Sequence, residues 1–252
     1  MINKLHSTKG LVYDLITGEI LKKLPDVRLL AITYIYNSIL RTGYFPGQWK
    51  VSQIVTILKP GKPAEDVKSY RPISLLPILS KVSEKLFITR IQPIFQSTQI
   101  IRDHQFGIRR KHSTIEQVQC ITNLIHRAIE NKQYCTAAFL DISQAFDKMW
   151  HEGLLYKLNT FFPDNMYRIL QSFLTNTYFR TKYREVHSSL AGVPQVSVLG
   201  PLLYLIYTAD LPNLANSTTA TFADDTAFLT VPEDLKWLRI DFRCTQTKSN
   251  HG

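Results

Sequence analysis

Apolar positions recur along this chain with two periods, and the switches between them mark out its elements. Over residues 26–42, Val27, Leu30, Ala31, Tyr34, Ile35 and Ile39 return near every 3.6 residues before Gly43 and Pro46. That spacing predicts an amphipathic helix whose apolar face packs into a core. Residues 78–95 predict a second helix on Leu79, Val82, Leu86, Phe87, Ile91 and Ile94. A third begins at the Ser113/Glu116 capping-box pattern and runs to about Asn131 on Ile115, Val118, Ile121, Ile125 and Ala128. A fourth covers residues 163–176 with Met166, Ile169, Leu170, Phe173 and Leu174 inward. Between these lie runs of β-formers. Trp49–Lys59, the turn Pro60-Gly61-Lys62-Pro63 and Tyr70–Leu76 together read as a hairpin. Tyr178–Leu190 predicts a ragged hairpin, and Val196–Thr208 a buried helix packed under the sheet.

Two runs end in acid. Tyr134–Ile142 is almost continuously apolar up to Asp141, the pattern of a strand buried on both faces. Burying an unpaired carboxylate is costly, so Asp141 is expected to emerge at an edge or to meet a cation. Thr219–Val231 is a pair of short apolar runs interrupted by Asp224 and Asp225, a hairpin with its turn at the carboxylates. Adjacent like charges at a tip suit a cation such as Mg²⁺, which takes one or two carboxylates plus substrate phosphates. Asp is also an ordinary turn residue.

Charge sharpens the division. Residues 50–132 hold 14 Lys/Arg against 6 Asp/Glu, and residues 133–232 hold 6 against 8. A basic lobe precedes an acidic one, which fits either a polyanion lying on the first or a plainly solvated basic surface. Arg109, Arg110 and Lys111 lie just before the helix start at Ser113, where backbone amides also attract phosphate. Phosphate contact and solvation both account for them. Lys59, Lys62 and Arg71 flank the first hairpin turn and are open to the same two readings. Asp147 reads as a local cap or ion-pair partner.

Cys120, Cys135 and Cys244 are odd in number and far apart, with no His at zinc-ligand spacing. A reducing, intracellular compartment follows, in nucleus or cytoplasm, and Met1–Gly10 lacks the apolar centre of a secretion signal. No apolar stretch is long enough to span a bilayer. Oligomeric state is not legible.

The strings SYRPISLL (69–76), QFGIRRKHST (105–114), AAFLDISQAFDKMWHEGLL (137–155), AGVPQVSVLGPLLYLIYTADLP (191–212) and TFADD (221–225) stand in the order seen in reverse transcriptases of non-LTR retrotransposons. Over residues 46–231 the chain resembles that family, in particular jockey-type mobile elements. The resemblance implies an α+β right-hand polymerase fold with an antiparallel palm sheet backed by helices. It divides the chain into an N-terminal helical extension at 1–49, fingers at 50–132, a palm at 133–232 and a truncated tail at 233–252, with the thumb absent.

It further implies an RNA-directed DNA polymerase that extends a DNA primer on an RNA template with dNTPs. The implied cofactor is a pair of Mg²⁺ ions, with Mn²⁺ as an alternative, roughly 3.5–4 Å apart. Asp141, Asp224 and Asp225 match the catalytic and metal-holding acids, with the backbone carbonyl of Ile142 as a further ligand. Lys59, Arg71, Phe146 and Gln195 match the nucleotide site: Lys59 and Arg71 on the phosphates, Phe146 against a ribose 2′-hydroxyl, Gln195 beside the template base. Val196 stands where the family pattern has Gly, and a β-branched residue is a poor substitute where backbone must approach a ligand. The alternatives that follow are a catalytically silent nucleic-acid-binding remnant, a group II intron maturase-like reverse transcriptase, and an RNA-dependent RNA polymerase. Phe146 argues against the last.

Overall fold

The structure is a computed structural model that describes residues 2, 5, 12–98, 100–107, 112–142, 145, 149–183, 186–188, 191–192, 198–211 and 217–231. The chain folds into two compact units, each built from two separate pieces. The first takes Met1–Ile100 and Phe146–Tyr207, the second Ile101–Ala145 and Thr208–Gly252.

In the first unit a short helix α1 (Gly18–Lys22) is followed by α2 (Asp26–Thr42), and Gly43 closes α2 at φ 72 by donating its N–H to the Ile39 carbonyl. The helix has the predicted bounds, but its inward face is different. Val27, Leu30 and Tyr34 are exposed, whereas Tyr36 and Ile39 are buried. Apolar residues occur all round α2, so periodicity alone leaves the buried face open, and an aromatic cluster decides it. The Tyr36 ring meets Trp49 at 5.5 Å, and Phe45 meets Trp49 at 6.0 Å and Phe173 at 5.1 Å, the last two edge-on.

The predicted hairpin is present as β1 (Val51–Leu58) and β2 (Tyr70–Leu75), antiparallel from Gln53↔Leu75 to Leu58↔Tyr70. Helix α3 (Ile78–Thr98) carries Pro93 within it and buries Val82, Phe87 and Ile91. The hydrophobic pattern names no element between 148 and 162, where the structure has α5 (His151–Phe161) with Leu154 and Leu158 fully buried four residues apart. Next come α6 (Asp164–Leu174), on Ile169, Leu170 and Phe173, and then β4 (Tyr178–Tyr183), β5 (Val186–His187) and β6 (Ala191–Gly192). Strand β4 runs parallel to β1, from Val51↔Tyr178 to Ile54↔Thr181, while β5 and β6 pair antiparallel to it. The ragged hairpin is therefore stitched into the first sheet, in the order β2-β1-β4-β5.

Two polar anchors hold this unit. Buried Lys50 donates to the Ser172 and Thr175 carbonyls at 2.8 and 3.0 Å, satisfying the end of α6, and its burial lowers its pKa. Glu84, fully buried in α3, accepts the Leu199 N–H at 3.0 Å and the Ser80 hydroxyl at 3.4 Å. It thereby pins the entry to α7 (Gly200–Tyr207), whose Leu203, Tyr204, Leu205 and Ile206 are buried. The predicted burial of this helix holds. Its packing partner is α5, and Lys157 donates to the Tyr207 carbonyl while lying over the Tyr207 ring.

The second unit contains α4 (Thr114–Glu130), β3 (Thr136–Leu140), β7 (Ser217–Phe222) and β8 (Asp225–Thr230). The capping box is formed: the Ser113 N–H donates to the Glu116 carboxylate at 2.8 Å, and the Glu116 N–H donates to the Ser113 hydroxyl at 3.2 Å. The three strands form an antiparallel sheet in the order β3-β8-β7. Ile121, Leu124 and Ile125 of α4 pack on Ala220, Ala227 and Leu229, while Ile115 and Val118 of the predicted face are exposed. Strand β3 is not buried on both faces as its apolar run predicts. It is an outer strand, with Phe139 at 74% and Leu140 at 49% exposure. Among the described residues no helix is long and apolar enough to cross a membrane.

Candidate active site

The acids sit at one end of the second unit's sheet because the strands that carry them end there. Strands β7 and β8 pair from Ser217↔Thr230 to Phe222↔Asp225, so two residues, Ala223 and Asp224, make the turn. The sequence pattern places the turn on the two carboxylates; the structure sets it one residue earlier, with Asp225 as the first residue of β8. Ala223 takes the strain, at φ 56, where a two-residue turn usually has Gly or Asn.

Strand β3 lies on the other side of β8, and its last pair is Leu140↔Thr226. Continued by one residue, the register sets Asp141 opposite Asp225, on the same face by strand alternation. Both line one cavity of about 360 Å³ together with Phe139, Leu140 and Phe222 from the sheet and Gln117 and Ile121 from α4. Asp141 and Asp225 are exposed and Asp224 is half-buried. Among the described residues no group of three or more His, Cys, Asp or Glu is gathered as a metal-ligand set. The second unit thus offers two carboxylates at one cavity and a third on the adjoining turn. Gln117 also lines that cavity, and its buried Oε1 accepts no hydrogen bond.

The turn is held from below by a segment to which the sequence pattern gives no element. The Phe106 N–H donates to the Thr221 carbonyl at 2.9 Å, and the Thr221 N–H donates to the His104 carbonyl at 3.0 Å, a parallel bridge centred on Gln105 and Thr221. The Gln105 side chain, 6% exposed, accepts the Ala223 N–H at 3.0 Å and the Gly107 N–H at 2.8 Å through Oε1, and donates Nε2 to the Ala223 carbonyl at 3.2 Å. Gly107 comes so close that a Cβ there would stand 2.1 Å from the Ala223 nitrogen. His104 is partly buried, which lowers its pKa; Arg102 adds to the effect and Asp103 opposes it. The only sequence sign of these roles is that Gln105 and Gly107 fall inside QFGIRRKHST.

The other predicted site residues are distributed as follows. Ile142 is exposed beyond the end of β3. In the first unit, Lys59 sits at the β1–β2 turn and donates to the Lys68 carbonyl at 2.8 Å, and Arg71 is exposed on β2 opposite Ile57. Phe146, Gln195, Val196, Arg109, Arg110, Lys111 and Asp147, together with the tail 233–252 and its Cys244, lie outside the described residues. Of the other two cysteines, Cys120 is exposed and Cys135 half-buried, both as free thiols.

Residues 57–243 match the family described as reverse transcriptase (RNA-dependent DNA polymerase). The chain is 45% identical over 240 residues to a probable RNA-directed DNA polymerase from transposon BS of Drosophila melanogaster, covering 90% of this chain and 26% of that protein. It is 43% identical over 242 residues to the RNA-directed DNA polymerase from mobile element jockey of the same fly, covering 91% of this chain and 26% of that protein. The chain therefore spans about a quarter of the length of these relatives. A solved structure of apo telomerase from Candida tropicalis, truncated from its C-terminal domain, is similar in fold at TM-score 0.50 and 15% identity, over 89% of this chain and 51% of that one.

Proposed function

Because the chain belongs to the reverse transcriptase (RNA-dependent DNA polymerase) family, we propose that it is the polymerising part of a non-LTR mobile-element protein, adding deoxynucleotides to a DNA primer on an RNA template. The observation that carries this reading is the delivery of Asp141 and Asp225 to one cavity by neighbouring strands, with Asp224 on the turn beside them. Carboxylate oxygens are the donors that Mg²⁺ prefers, and two of them suffice where substrate phosphates complete the shell. The donor set therefore fits a divalent ion completed by the nucleotide better than an all-protein cage. Bound there, Mg²⁺ would supply the Lewis acidity for attack of the primer 3′-hydroxyl on the α-phosphorus, with pyrophosphate leaving.

The protein's own contribution is positioning. Asp141, Asp224 and Asp225, with the Ile142 carbonyl, would hold the ions, and Lys59 and Arg71 would take the triphosphate, where a guanidinium fork binds phosphate oxygens in pairs. Phe146 is assigned to exclusion of ribonucleotides, Gln195 to the edge of the nucleotide pocket, and Arg109, Arg110 and Lys111 to the nucleic-acid backbone. In this reading the fingers run over 50–132 and the palm over 133–232. Work on a nucleic-acid template inside the cell follows from the same reading.

A second reading is favoured by Val196. With a β-branched side chain where the family pattern has Gly, the chain would be a remnant that still holds RNA but does not extend a primer. Incubation with an annealed RNA template and DNA primer, dNTPs and Mg²⁺ separates the two. Extension that Asp141→Asn abolishes, while template affinity stays within a few-fold, supports the enzyme, because the substitution removes a metal ligand and no phosphate contact. Extension that appears only in Val196→Gly supports the remnant. Equal loss of binding and extension in Asp141→Asn refutes the assignment of that residue.

A further inference from the structure

Ala223 stands at the tip of the acidic hairpin in a conformation that L-residues avoid. At φ 56 its Cβ crowds the following carbonyl, and such a residue persists only where its surroundings over-determine it. Among the described residues, the Gly107 backbone packs against it and one side chain bonds both of its peptide groups. Gln105 Oε1 accepts the Ala223 N–H at 3.0 Å, and Gln105 Nε2 donates to the Ala223 carbonyl at 3.2 Å. The two peptide groups that define the Ala223 backbone are thus tied to the two ends of a single planar amide. The amide is itself held, since Oε1 also accepts the Gly107 N–H at 2.8 Å and the flanking main chain is bonded to Thr221 on both sides.

We infer that Gln105 is a positioning residue for the polymerase site: its amide locks Ala223 in the left-handed conformation and so fixes the direction in which the next residue, Asp224, presents its carboxylate. The inference rests on the proposed function, in which Asp224 meets the metal ions. The chemistry demanded is specific. One group must accept two N–H donors and give one N–H to a carbonyl, at the reach of a two-methylene stem, and only a glutamine amide does this. Glutamate keeps the acceptor but meets the Ala223 carbonyl with a second oxygen. Methionine fills the same space and makes none of the three bonds. Burial makes the lock stiff, because water cannot substitute for a lost partner at a side chain 6% exposed.

The test compares the 252-residue chain with Gln105→Met, Gln105→Met/Ala223→Gly and Asp224→Asn. Mn²⁺ binding is read by electron paramagnetic resonance with template–primer and a non-incorporable dNTP, and template–primer affinity is measured separately. Gln105→Met is expected to weaken Mn²⁺ binding about ten-fold, with template–primer affinity within two-fold. Ala223→Gly on top of it should recover at least three-fold, since glycine enters the left-handed region freely. Unchanged Mn²⁺ binding in Gln105→Met, a parallel loss of template–primer affinity, or no recovery with Ala223→Gly overturns the inference. Asp224→Asn keeps it separate from its premise. If that change leaves Mn²⁺ binding intact, the metal role of Asp224 fails and the inference with it; if it abolishes binding while Gln105→Met does not, only the positioning role fails. Should Gln105→Met not fold, amide exchange on the native chain decides. An Ala223 N–H protected at least a hundred-fold over its intrinsic rate supports the lock, and an unprotected one overturns it.

Discussion

Gly107→Ala is expected to open the acidic hairpin while leaving the first unit intact, and the cost follows from the coordinates. A Cβ on residue 107 would lie 2.1 Å from the Ala223 nitrogen, 2.8 Å from the Phe222 carbonyl carbon and 2.9 Å from the Ala223 Cα. All three are backbone atoms of the turn, so no flexible side chain can yield, and the two segments must part by about 1 Å or more to reach ordinary contact. The bonds that join them start at 2.9–3.2 Å, from Phe106 to Thr221, from Thr221 to His104, from Ala223 to Gln105 and from Gln105 to Ala223. Separation on that scale takes at least two beyond hydrogen-bonding range. Two lost bonds at about 1 kcal/mol each, with about 1–3 kcal/mol for overpacking, give about 3–5 kcal/mol. Amide exchange of residues 217–230, followed by mass spectrometry, should then be faster by about two to four powers of ten, limited by the stability of the unit. Gly47→Ala is the control, because its Cβ would meet nothing within 4 Å. Exchange in Gly107→Ala within three-fold of the unsubstituted chain would refute the close-approach reasoning.

Arg71→Ala should raise the dNTP KM by about ten-fold, the loss of a charge-assisted contact, with thermal melting unchanged; an unaltered KM would remove Arg71 from the nucleotide site. Glu84→Ala should destabilise the first unit by about 2–4 kcal/mol in urea titration, because it strips the acceptor from a buried N–H at the entry to α7, and Glu84→Gln should cost less by keeping an oxygen in place. The pH dependence follows from His104, whose folded pKa lies below its unfolded value of about 6.5. Above that value both states are neutral. As pH falls below it the unfolded chain takes up the proton first, so stability declines until the folded pKa is passed. Hairpin protection, the exchange rate referred to its intrinsic value at each pH, should therefore fall from about pH 6.5 downward, and His104→Gln should flatten that slope; an unchanged slope would exonerate His104.

Much of the site was legible as pattern. The stop at Asp141 and the capping box at Ser113 each express an interaction between near neighbours in the chain and stand where the pattern puts them, and the paired acids in TFADD fall at a hairpin tip. The turn shifted by one residue because register, not the charge pair, decides which two residues make it, and β8 needs Asp225 opposite Phe222 to align Ala227 with Ala220 under α4. The outer position of β3 was hidden by its apolar run, since a period gives a strand its faces but not its neighbours. Gln105 was missed for the same kind of reason. A glutamine among polar residues has no pattern, and its partner Ala223 is an unremarkable residue until its φ is known.

The sequence by itself placed most of the helices and strands to within a few residues at their ends, though not α5, and showed which ends carry acid and, through five ordered motifs, the polymerase family. Tertiary structure alone decided that α2 buries Tyr36 beside the expected Ile39, and not Val27 and Leu30, that β4 joins β1 in parallel, and that one amide holds the tip of a hairpin 118 positions away. The physical reason is that caps, turns and periods are set by atoms a few residues apart. Pairing across a long stretch of chain has nearly the same closure entropy for many partners, and the choice among them falls to packing and to buried hydrogen bonds that exist only once the chain has folded.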